Sequence, residues 1–235
     1  MVYGVILAGG VGSRMGGEKP KQYLTVKNKP IIIYTAEKFL ACTELEKIII
    51  LCPEKWVEYT KNLVKKYIAA AENRIAVIEG GETRNETIMN AVSFIEAAGN
   101  LDDETVIVTH DSVRPFVTHR IIKENIEACR KFGACDTVIP ATDTIVESEN
   151  GLNISNIPNR SIMYHGQTPQ SFKALRLREI YNSLTENEKN ILTDAAKIYV
   201  LKGETVALVA GETYNIKITY PYDLRIAKSL LEDEG

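Results

Sequence analysis

The chain alternates short apolar runs with longer amphipathic stretches, and this alternation constrains the fold more than any other feature. Apolar runs of strand length lie at 2–7, 47–51, 74–78, 105–109, 137–139 and 206–209. They lack the period-two alternation of a strand with one face in water, so strands covered on both faces are expected. Helical spacing of apolar residues fills the gaps at 31–40, 55–71, 84–97 and 118–132. The pattern predicts an α/β, Rossmann-like fold with a mostly parallel, twisted sheet and helices on both faces.

Residues 141–165 interrupt this alternation of strand-like and helical segments. They alternate apolar and polar side chains around Asn150-Gly151, and Asn-Gly is the strongest short hairpin signal. We therefore expect an inserted β-hairpin arm that leans on the body or on a partner subunit. Because no linker, repeat or low-complexity segment divides the 235 residues, the sequence predicts a single domain, 1–235, carrying this arm.

Composition excludes several classes of protein. A net charge of -3 argues against a protein that coats nucleic acid, although a few local cations suffice for a nucleotide site. The four cysteines form no C-x-x-C pair and the three histidines add no zinc-like spacing, so buried reduced thiols are expected. The N-terminus lacks the basic region of a signal peptide and no apolar stretch reaches membrane-spanning length, so the sequence predicts a cytoplasmic protein with no membrane partner.

The loop after the first predicted strand carries the clearest functional signal. Residues 6–22 read ILAGGVGSRMGGEKPKQ, so glycines surround Arg14 and two lysines, Lys19 and Lys21, follow. A glycine-rich turn at the carboxyl end of a parallel strand lets backbone N–H groups approach phosphate oxygens closely. The loop therefore predicts an anion site, the alternative being a tight turn with solvated cations.

Two familiar phosphate-binding loops do not match this segment. The triphosphatase loop needs lysine where Glu18 stands, and the glycine spacing is one residue too long for the dinucleotide fingerprint. The acidic residue expected about 20 positions further on, which would bind a ribose, is also missing. A nicotinamide dinucleotide is therefore disfavoured as the ligand.

Three further segments are expected to contribute to the site. GGETRNET at 80–87 admits close approach to a base or ribose, although Thr83 or Asn85 could simply cap the next helix. HDSVRP at 110–115 ends a strand, and Asp111 is a candidate ligand for Mg²⁺, which prefers oxygen donors. The alternatives for Asp111 are an ion pair with Arg114 or an Asx turn, and the preceding histidine is expected to be a packing residue. NIKIT at 215–219 alternates polar and apolar residues, which places Lys217 alone on one face of the segment.

In order, these segments resemble one family. LAGG-x-G-S-R-M, P-K-Q-Y-L, GG-x-x-R, HD-x-x-RP, TPQ-x-F and N-I-K-I-T-x-x-x-D-L span almost the whole chain and together are similar to the sugar- and polyol-phosphate cytidylyltransferases. One branch of that family makes CDP-methylerythritol for isoprenoid synthesis. The other makes CDP-ribitol from D-ribitol 5-phosphate for teichoic acids and related polymers.

Residues that differ between the two branches favour the ribitol branch. HDSVRPF at 110–116, IPNR followed by GQTPQSF, and threonine at the end of RNET are more similar to the ribitol branch. The resemblance therefore implies transfer of CMP from CTP to D-ribitol 5-phosphate, giving CDP-ribitol and pyrophosphate. The alternative is 2-C-methyl-D-erythritol 4-phosphate. An NAD(P)-dependent oxidoreductase and a non-catalytic nucleotide-binding module are the remaining hypotheses.

The resemblance also implies roles for individual residues. Arg14 and Lys21 would stabilise charge on the triphosphate in the transition state, and Asp111 would hold Mg²⁺. Arg160 and Lys217 would position the polyol phosphate, and because Arg160 lies on an arm that embraces a second subunit in this family, a homodimer is implied. The CTP site would be lined by Leu7, Ala8, Gly9, Gly10, Gly81, Glu82, Thr83, Arg84, Asn85, Glu86, Thr87 and Ser112.

Overall fold

The computed structural model of the chain describes residues 1–10 and 19–233. The strands in these ranges are β1 (Val2–Leu7), β2 (Thr25–Val26), β3 (Lys29–Pro30), β4 (Lys47–Cys52), β5 (Ile75–Glu79), β6 (Val106–Asp111), β7 (Ala134–Pro140), β8 (Tyr164–Lys173) and β9 (Ala207–Ala210). The helices are α1 (Ile31–Leu40), α2 (Glu54–Ile68), α3 (Arg84–Ala97), α4 (His119–Phe132), α5 (Ala174–Asn182), α6 (Glu186–Asn190), α7 (Ala196–Leu201) and α8 (Pro221–Asp233).

One mixed sheet organises the described residues, with the strand order β5-β4-β1-β6-β8-β7-β9. Its neighbouring strands run parallel except at β8, which is antiparallel to both β6 and β7. β2 and β3 pair separately as a short antiparallel ladder. The predicted mostly parallel, Rossmann-like sheet is confirmed, and the antiparallel β8 is an element that the apolar pattern missed.

Helices cover both faces of the sheet, as the unbroken apolar runs predicted. All six residues of β1 and of β6 are buried. Alternate β1 residues pack against opposite layers: Ile6 joins the core beneath α1, α2 and α4, whereas Val5 joins the core beneath α3, α5 and α7. The four cysteines are free and buried, which confirms that expectation.

The helix limits follow local sequence signals. α3 begins after Thr83, whose hydroxyl accepts a hydrogen bond from the Glu86 N–H, and α4 begins after Thr118 in the same way. α4 ends at Phe132, and the φ of 86° at the following Gly133 suits glycine at a helix terminus. α2 is shorter than predicted, because a 3₁₀ segment, Ala69–Arg74, follows Ile68. None of the helices in the described ranges is long and apolar enough to cross a bilayer.

The predicted arm is present but is not a regular hairpin. The chain does turn at Asn150-Gly151, where the Asn150 side chain accepts hydrogen bonds from the two following N–H groups beyond the glycine. In the arm, however, the structure pairs Glu147 with Asn156 as an isolated antiparallel bridge in place of a ladder. A hairpin without a third strand or a packed face has little to stabilise it within one chain.

Candidate active site

A cleft of about 380 Å³ opens at the carboxyl ends of β1 and β6, beside the turn that leads into α3. Parallel α/β sheets bind their ligands at this edge. Of the residues expected to line a CTP site, the structure places these on the cleft wall: Leu7, Gly9, Gly10, Gly81, Glu82, Thr83, Arg84, Thr87 and Ser112. Lys21, Asp111 and Lys217 lie on the same wall.

Two anchors hold the start of the first loop. The Ala8 N–H donates to the Leu51 carbonyl at 2.8 Å, and the Ala8 carbonyl accepts from Gln22 Nε2 at 2.7 Å. Ala8 is therefore buried behind the cleft wall and acts through its backbone. Gln22 is itself buried, so it fixes the neighbouring Lys21 in the cleft. Arg14 lies outside the described residues, so its predicted role stays a prediction.

The second loop caps α3 and also lines the cleft. Thr83 and Glu86 form a reciprocal capping box, which confirms Thr83 as the helix cap. The Gly81 N–H donates to Thr87 Oγ1 at 3.0 Å. A Cβ at Gly81 would lie 2.4 Å from the Glu86 Cβ, so only glycine fits this approach. Asn85 is buried beneath the loop, and the Glu86 side chain is engaged in the cap; neither belongs to the wall.

Asp111 is the centre of a cationic cluster. Its Oδ1 lies 2.5 Å from Arg84 Nη1, and its Oδ2 lies 2.9 Å from Lys217 Nζ. Arg114 Nε lies 3.5 Å from the same Oδ2, so the ion pair that the sequence left open is present. Burial alone would raise the pKa of the Asp111 carboxyl, but the charges of Arg84, Lys217 and Arg114 together hold that pKa well below its usual range.

Neutral hydrogen bonds position this cluster. His110 Nε2 lies 3.0 Å from the Arg114 carbonyl, and its Nδ1 lies 2.8 Å from Thr168 Oγ1. Burial lowers the pKa of His110 to about 4, so the imidazole is neutral near pH 7. The expectation that His110 is a packing residue, rather than a proton donor, agrees with this environment.

Lys217 reaches the cleft from a segment that is not a strand. The Ile218 N–H donates to the Val113 carbonyl, and Asn215 Nδ2 donates to the Thr168 carbonyl at 2.9 Å. The alternation at 215–219 arises because Ile216 and Ile218 pack in a small core with Val113. The lone lysine between them, Lys217, is thereby directed at Asp111, although its side chain stays partly exposed to solvent.

A second cavity of about 150 Å³ adjoins the cleft. The two share Arg84, Asp111 and Lys217, so the cationic cluster forms a common wall. The other side chains around the second cavity are polar or charged as well: Arg114, Gln167, Thr168, Gln170, Thr193 and Asp194, beside Gly166. The site therefore offers two adjoining spaces for anions that meet at one set of cations.

Residues 2–233 match the family model described as 2-C-methyl-D-erythritol 4-phosphate cytidylyltransferase. The chain belongs to this family. The match covers nearly the whole sequence, so the protein is a cytidylyltransferase. The cations at the strand ends suit this activity.

Solved structures of this type superpose over the full chain. The 4-diphosphocytidyl-2C-methyl-D-erythritol synthase of Anaerococcus prevotii DSM 20548 is 25% identical with a TM-score of 0.79, covering 98% of this chain and 96% of its own. The 2-C-methyl-D-erythritol 4-phosphate cytidylyltransferase of Francisella tularensis is 25% identical with a TM-score of 0.80, covering 97% and 98%. The Thermus thermophilus enzyme of the same name is 26% identical with a TM-score of 0.72, covering 99% and 100%.

Among the predicted catalytic residues that the structure describes, Lys21 and Lys217 line the cleft, whereas Arg160 does not. Arg160 lies exposed on the arm, where its Nη1 donates to the Thr142 carbonyl at 2.8 Å. Neither cavity has Arg160 on its wall in the described part of one chain. Its role therefore depends on the implied second subunit and stays a prediction.

Several cleft and cavity residues were missed from the sequence. Arg114, Thr168 and Gln170 lie inside quoted motifs, so a signal existed, but no role was attached to them. Thr193 and Asp194 lie in a loop before α7 with no motif around them. Only the packing of that loop against β8 shows that they face the second cavity.

Proposed function

We propose that this cytidylyltransferase transfers CMP from CTP to a short polyol phosphate and releases pyrophosphate. The observation that carries the proposal is the common wall of Arg84, Asp111 and Lys217 between the two cavities. CTP fits the larger space beside the glycine loops, and the acceptor phosphate fits the smaller one. Both phosphates then approach the same cations, which is the arrangement that joining two anions requires.

The chemistry needs no covalent enzyme nucleophile. An oxygen of the acceptor phosphate forms a bond to the α-phosphorus of CTP as the bond from that phosphorus to the β-phosphate oxygen breaks, and the electron pair leaves with pyrophosphate. Positioning and charge stabilisation supply most of the rate in such transfers. Lys21 and Lys217 both line the cleft, and we propose that Arg14 adds a third cation.

The residues present fit Mg²⁺ as a companion of CTP. Mg²⁺ commonly takes one or two protein carboxylates and completes its shell with phosphates and water. Asp111 is the carboxylate at the common wall, and triphosphate oxygens can draw Arg84 and Lys217 away from it. Asp111 would then hold the ion, which would neutralise part of the phosphate charge.

Two acceptors are candidates. The matched family and the printed names of the structural relatives support 2-C-methyl-D-erythritol 4-phosphate better than D-ribitol 5-phosphate. D-ribitol 5-phosphate is supported by the branch-specific residues at 110–116 and by the lining of the second cavity. Among the residues that the structure describes, this lining includes no wholly apolar side chain that could accept a methyl branch. With ribitol 5-phosphate the product would serve teichoic acid or a related polymer.

A homodimer through the arm is part of the proposal. The arm exposes Leu152, Ile154, Ile157 and Ile162 to solvent in one chain. Clustered exposed apolar side chains mark interaction surfaces. A partner seated there would bring its own arm, and Arg160 with it, towards the neighbouring site.

Pyrophosphate release tests the proposal. Purified protein is supplied with CTP, Mg²⁺ and either D-ribitol 5-phosphate or 2-C-methyl-D-erythritol 4-phosphate. Turnover with one acceptor supports the proposal and decides the acceptor. Absence of pyrophosphate release with both, while CTP still binds in a thermal-shift titration, would contradict it.

A further inference from the structure

Among the residues that the structure describes, one group of side chains outside the active site has the donor atoms and the spacing of a metal site. It consists of Cys42 and Glu44, in the turn between α1 and β4, and His119, the first residue of α4. One donor atom from each residue lies within 4.8 Å of the other two. None of the three is among the described residues that line the cleft or the second cavity, so the group is separate from the cationic cluster.

The separations are close to those of a tetrahedral zinc site. Cys42 Sγ lies 3.2 Å from Glu44 Oε2, and the same Oε2 lies 3.9 Å from His119 Nε2. Zinc bonds of about 2.3 Å to sulfur and about 2.0–2.2 Å to nitrogen or oxygen put neighbouring donors of a tetrahedron roughly 3.4–3.6 Å apart. Small rotations of the Glu44 and His119 side chains would therefore bring all three donors to one ion.

The Cys42 thiol is already paired with the carboxylate that would share the ion. It donates its S–H to Glu44 Oε2, and a divalent cation can take the place of that proton because it bonds to both atoms. The backbone N–H groups of Glu44 and Leu45 also donate to the sulfur, which favours the thiolate, although burial raises the pKa of Cys42 to about 11. As the bond from sulfur to metal forms, the thiol proton is released to solvent.

The group is open to solvent on its outer side. Cys42 is fully buried, but the Glu44 and His119 side chains are 30% and 56% exposed. Because the sulfur contacts the Glu44 carboxylate directly, an ion bound by the two outer residues lies next to the sulfur. The group also connects the turn after α1 to the start of α4, and both helices contribute to the same hydrophobic core on one face of the sheet.

We infer that Cys42, Glu44 and His119 form a binding site for a divalent transition-metal ion, with water in the fourth position. The donor set selects Zn²⁺ over Mg²⁺, since thiolate and imidazole suit zinc whereas magnesium requires oxygen ligands. This site is distinct from the Mg²⁺ position proposed at Asp111. Its three bonds would hold α1 and α4 together, so the ion stabilises the fold and takes no part in the transfer of CMP.

Cobalt is the spectroscopic probe for this site, because a cysteine thiolate bound to Co²⁺ gives an intense charge-transfer absorption in the near ultraviolet. Tag-free protein without CTP or Mg²⁺ is titrated with Co²⁺ and then with Zn²⁺, and its Tm is measured with and without Zn²⁺. The variants are Cys42→Ser, Glu44→Gln and His119→Gln. His165→Gln is the matched control, since His165 is also an exposed histidine but lies on β8.

We expect the wild type to bind one Co²⁺ per chain with the thiolate absorption, to lose that absorption when Zn²⁺ is added, and to gain in Tm with Zn²⁺. Cys42→Ser should lose the absorption. Glu44→Gln and His119→Gln should each weaken Co²⁺ binding by about 100-fold or more, since the loss of a group that only orients a ligand already costs about 10- to 100-fold. His165→Gln should bind Co²⁺ as the wild type does.

Two results would overturn the inference. A wild type without the thiolate absorption at saturating Co²⁺ would show that no cysteine binds the ion. An absorption that persists with unchanged affinity in Glu44→Gln and His119→Gln would show that the ion binds at another cysteine. Glu44 and His119 lie partly in solvent, so these two variants should keep the metal-free Tm of the wild type, which separates loss of binding from loss of the fold.

Discussion

Replacing Asp111 by Asn should destabilise the protein, because Asp111 is the counter-charge to three cations. Arg84 and Arg114 are largely buried beside it, whereas the Lys217 side chain is 44% exposed. Removing one partner of a buried ion pair costs roughly 3–5 kcal/mol. Since the exposed lysine contributes little, we expect a loss of about 3 kcal/mol. For a chain of this length that corresponds to a fall in Tm of roughly 6–12 °C.

Urea unfolding followed by the fluorescence of Trp56 measures this loss. Trp56 is the single tryptophan, and its ring packs against Tyr23 and Tyr59. The low pKa of Asp111 means that its stabilisation is present above the unfolded-state pKa and is lost as the pH falls. The difference between wild type and Asp111→Asn should therefore be constant from pH 6 to 8 and shrink below about pH 4.

Inorganic pyrophosphate without metal provides an internal check. It can replace the missing counter-charge, so it should raise the Tm of Asp111→Asn more than that of the wild type. Asp103→Asn, at an exposed residue in the turn before β6, is the control and should behave as wild type in both experiments. A loss below 1 kcal/mol in Asp111→Asn, together with equal pyrophosphate shifts, would refute the reasoning that Asp111 neutralises this cluster.

Three further predictions concern the two glycine loops and the buried carboxyl group of Asp136. Lys21→Ala should lower kcat by about 10²–10³-fold, as expected when one preorganised charge donor is removed, while circular dichroism shows a retained fold; a near-normal kcat would contradict its role. Gly81→Ala should raise the KM for CTP and cost about 1–3 kcal/mol in urea unfolding, because its Cβ would overlap Glu86; unchanged values would contradict the tight packing of that turn. The charges of Asp194, Arg84 and Arg114 act on Asp136. Burial raises the folded-state pKa of Asp136 to about 7. The stability that the protonated carboxyl provides is therefore lost as the pH rises from about 4 to 7. Asp136→Asn should therefore lose less stability than the wild type across that range, by roughly 2–4 kcal/mol, and parallel pH profiles would contradict this.

The parallel half of the sheet was predictable from the sequence because hydrophobic burial determines it. The predicted limits of β1, α1 and α3 match the structure. In each of these elements the apolar pattern and the end signals agree, as with the cap residue Thr83 before α3. The sequence also placed the loops after the strands at the carboxyl edge of the sheet, and Lys21 and Asp111 do lie on the wall of the cleft at that edge.

β8 was missed because its burial does not depend on apolar side chains. The buried stretch Gln167–Ser171 is polar and contains a proline, yet it lies between β6 and β7. Several of its polar groups are satisfied by side chains from distant segments, as when Thr137 Oγ1 donates to the Pro169 carbonyl at 2.6 Å. Local patterns cannot report such partners, so the second cavity became visible only in the folded structure.

The central position of β8 has a consequence for the order in which the chain assembles. Until residues 164–173 leave the ribosome, β6 is the open edge of a four-stranded parallel sheet formed with β1, β4 and β5. Its exposed backbone groups and apolar residues Val106, Ile107 and Val108 then form a template for pairing with another chain. A nascent or truncated chain that ends before Tyr164 should therefore aggregate through this edge. Completion of the second cavity and protection of the edge occur in the same event, when β8 inserts.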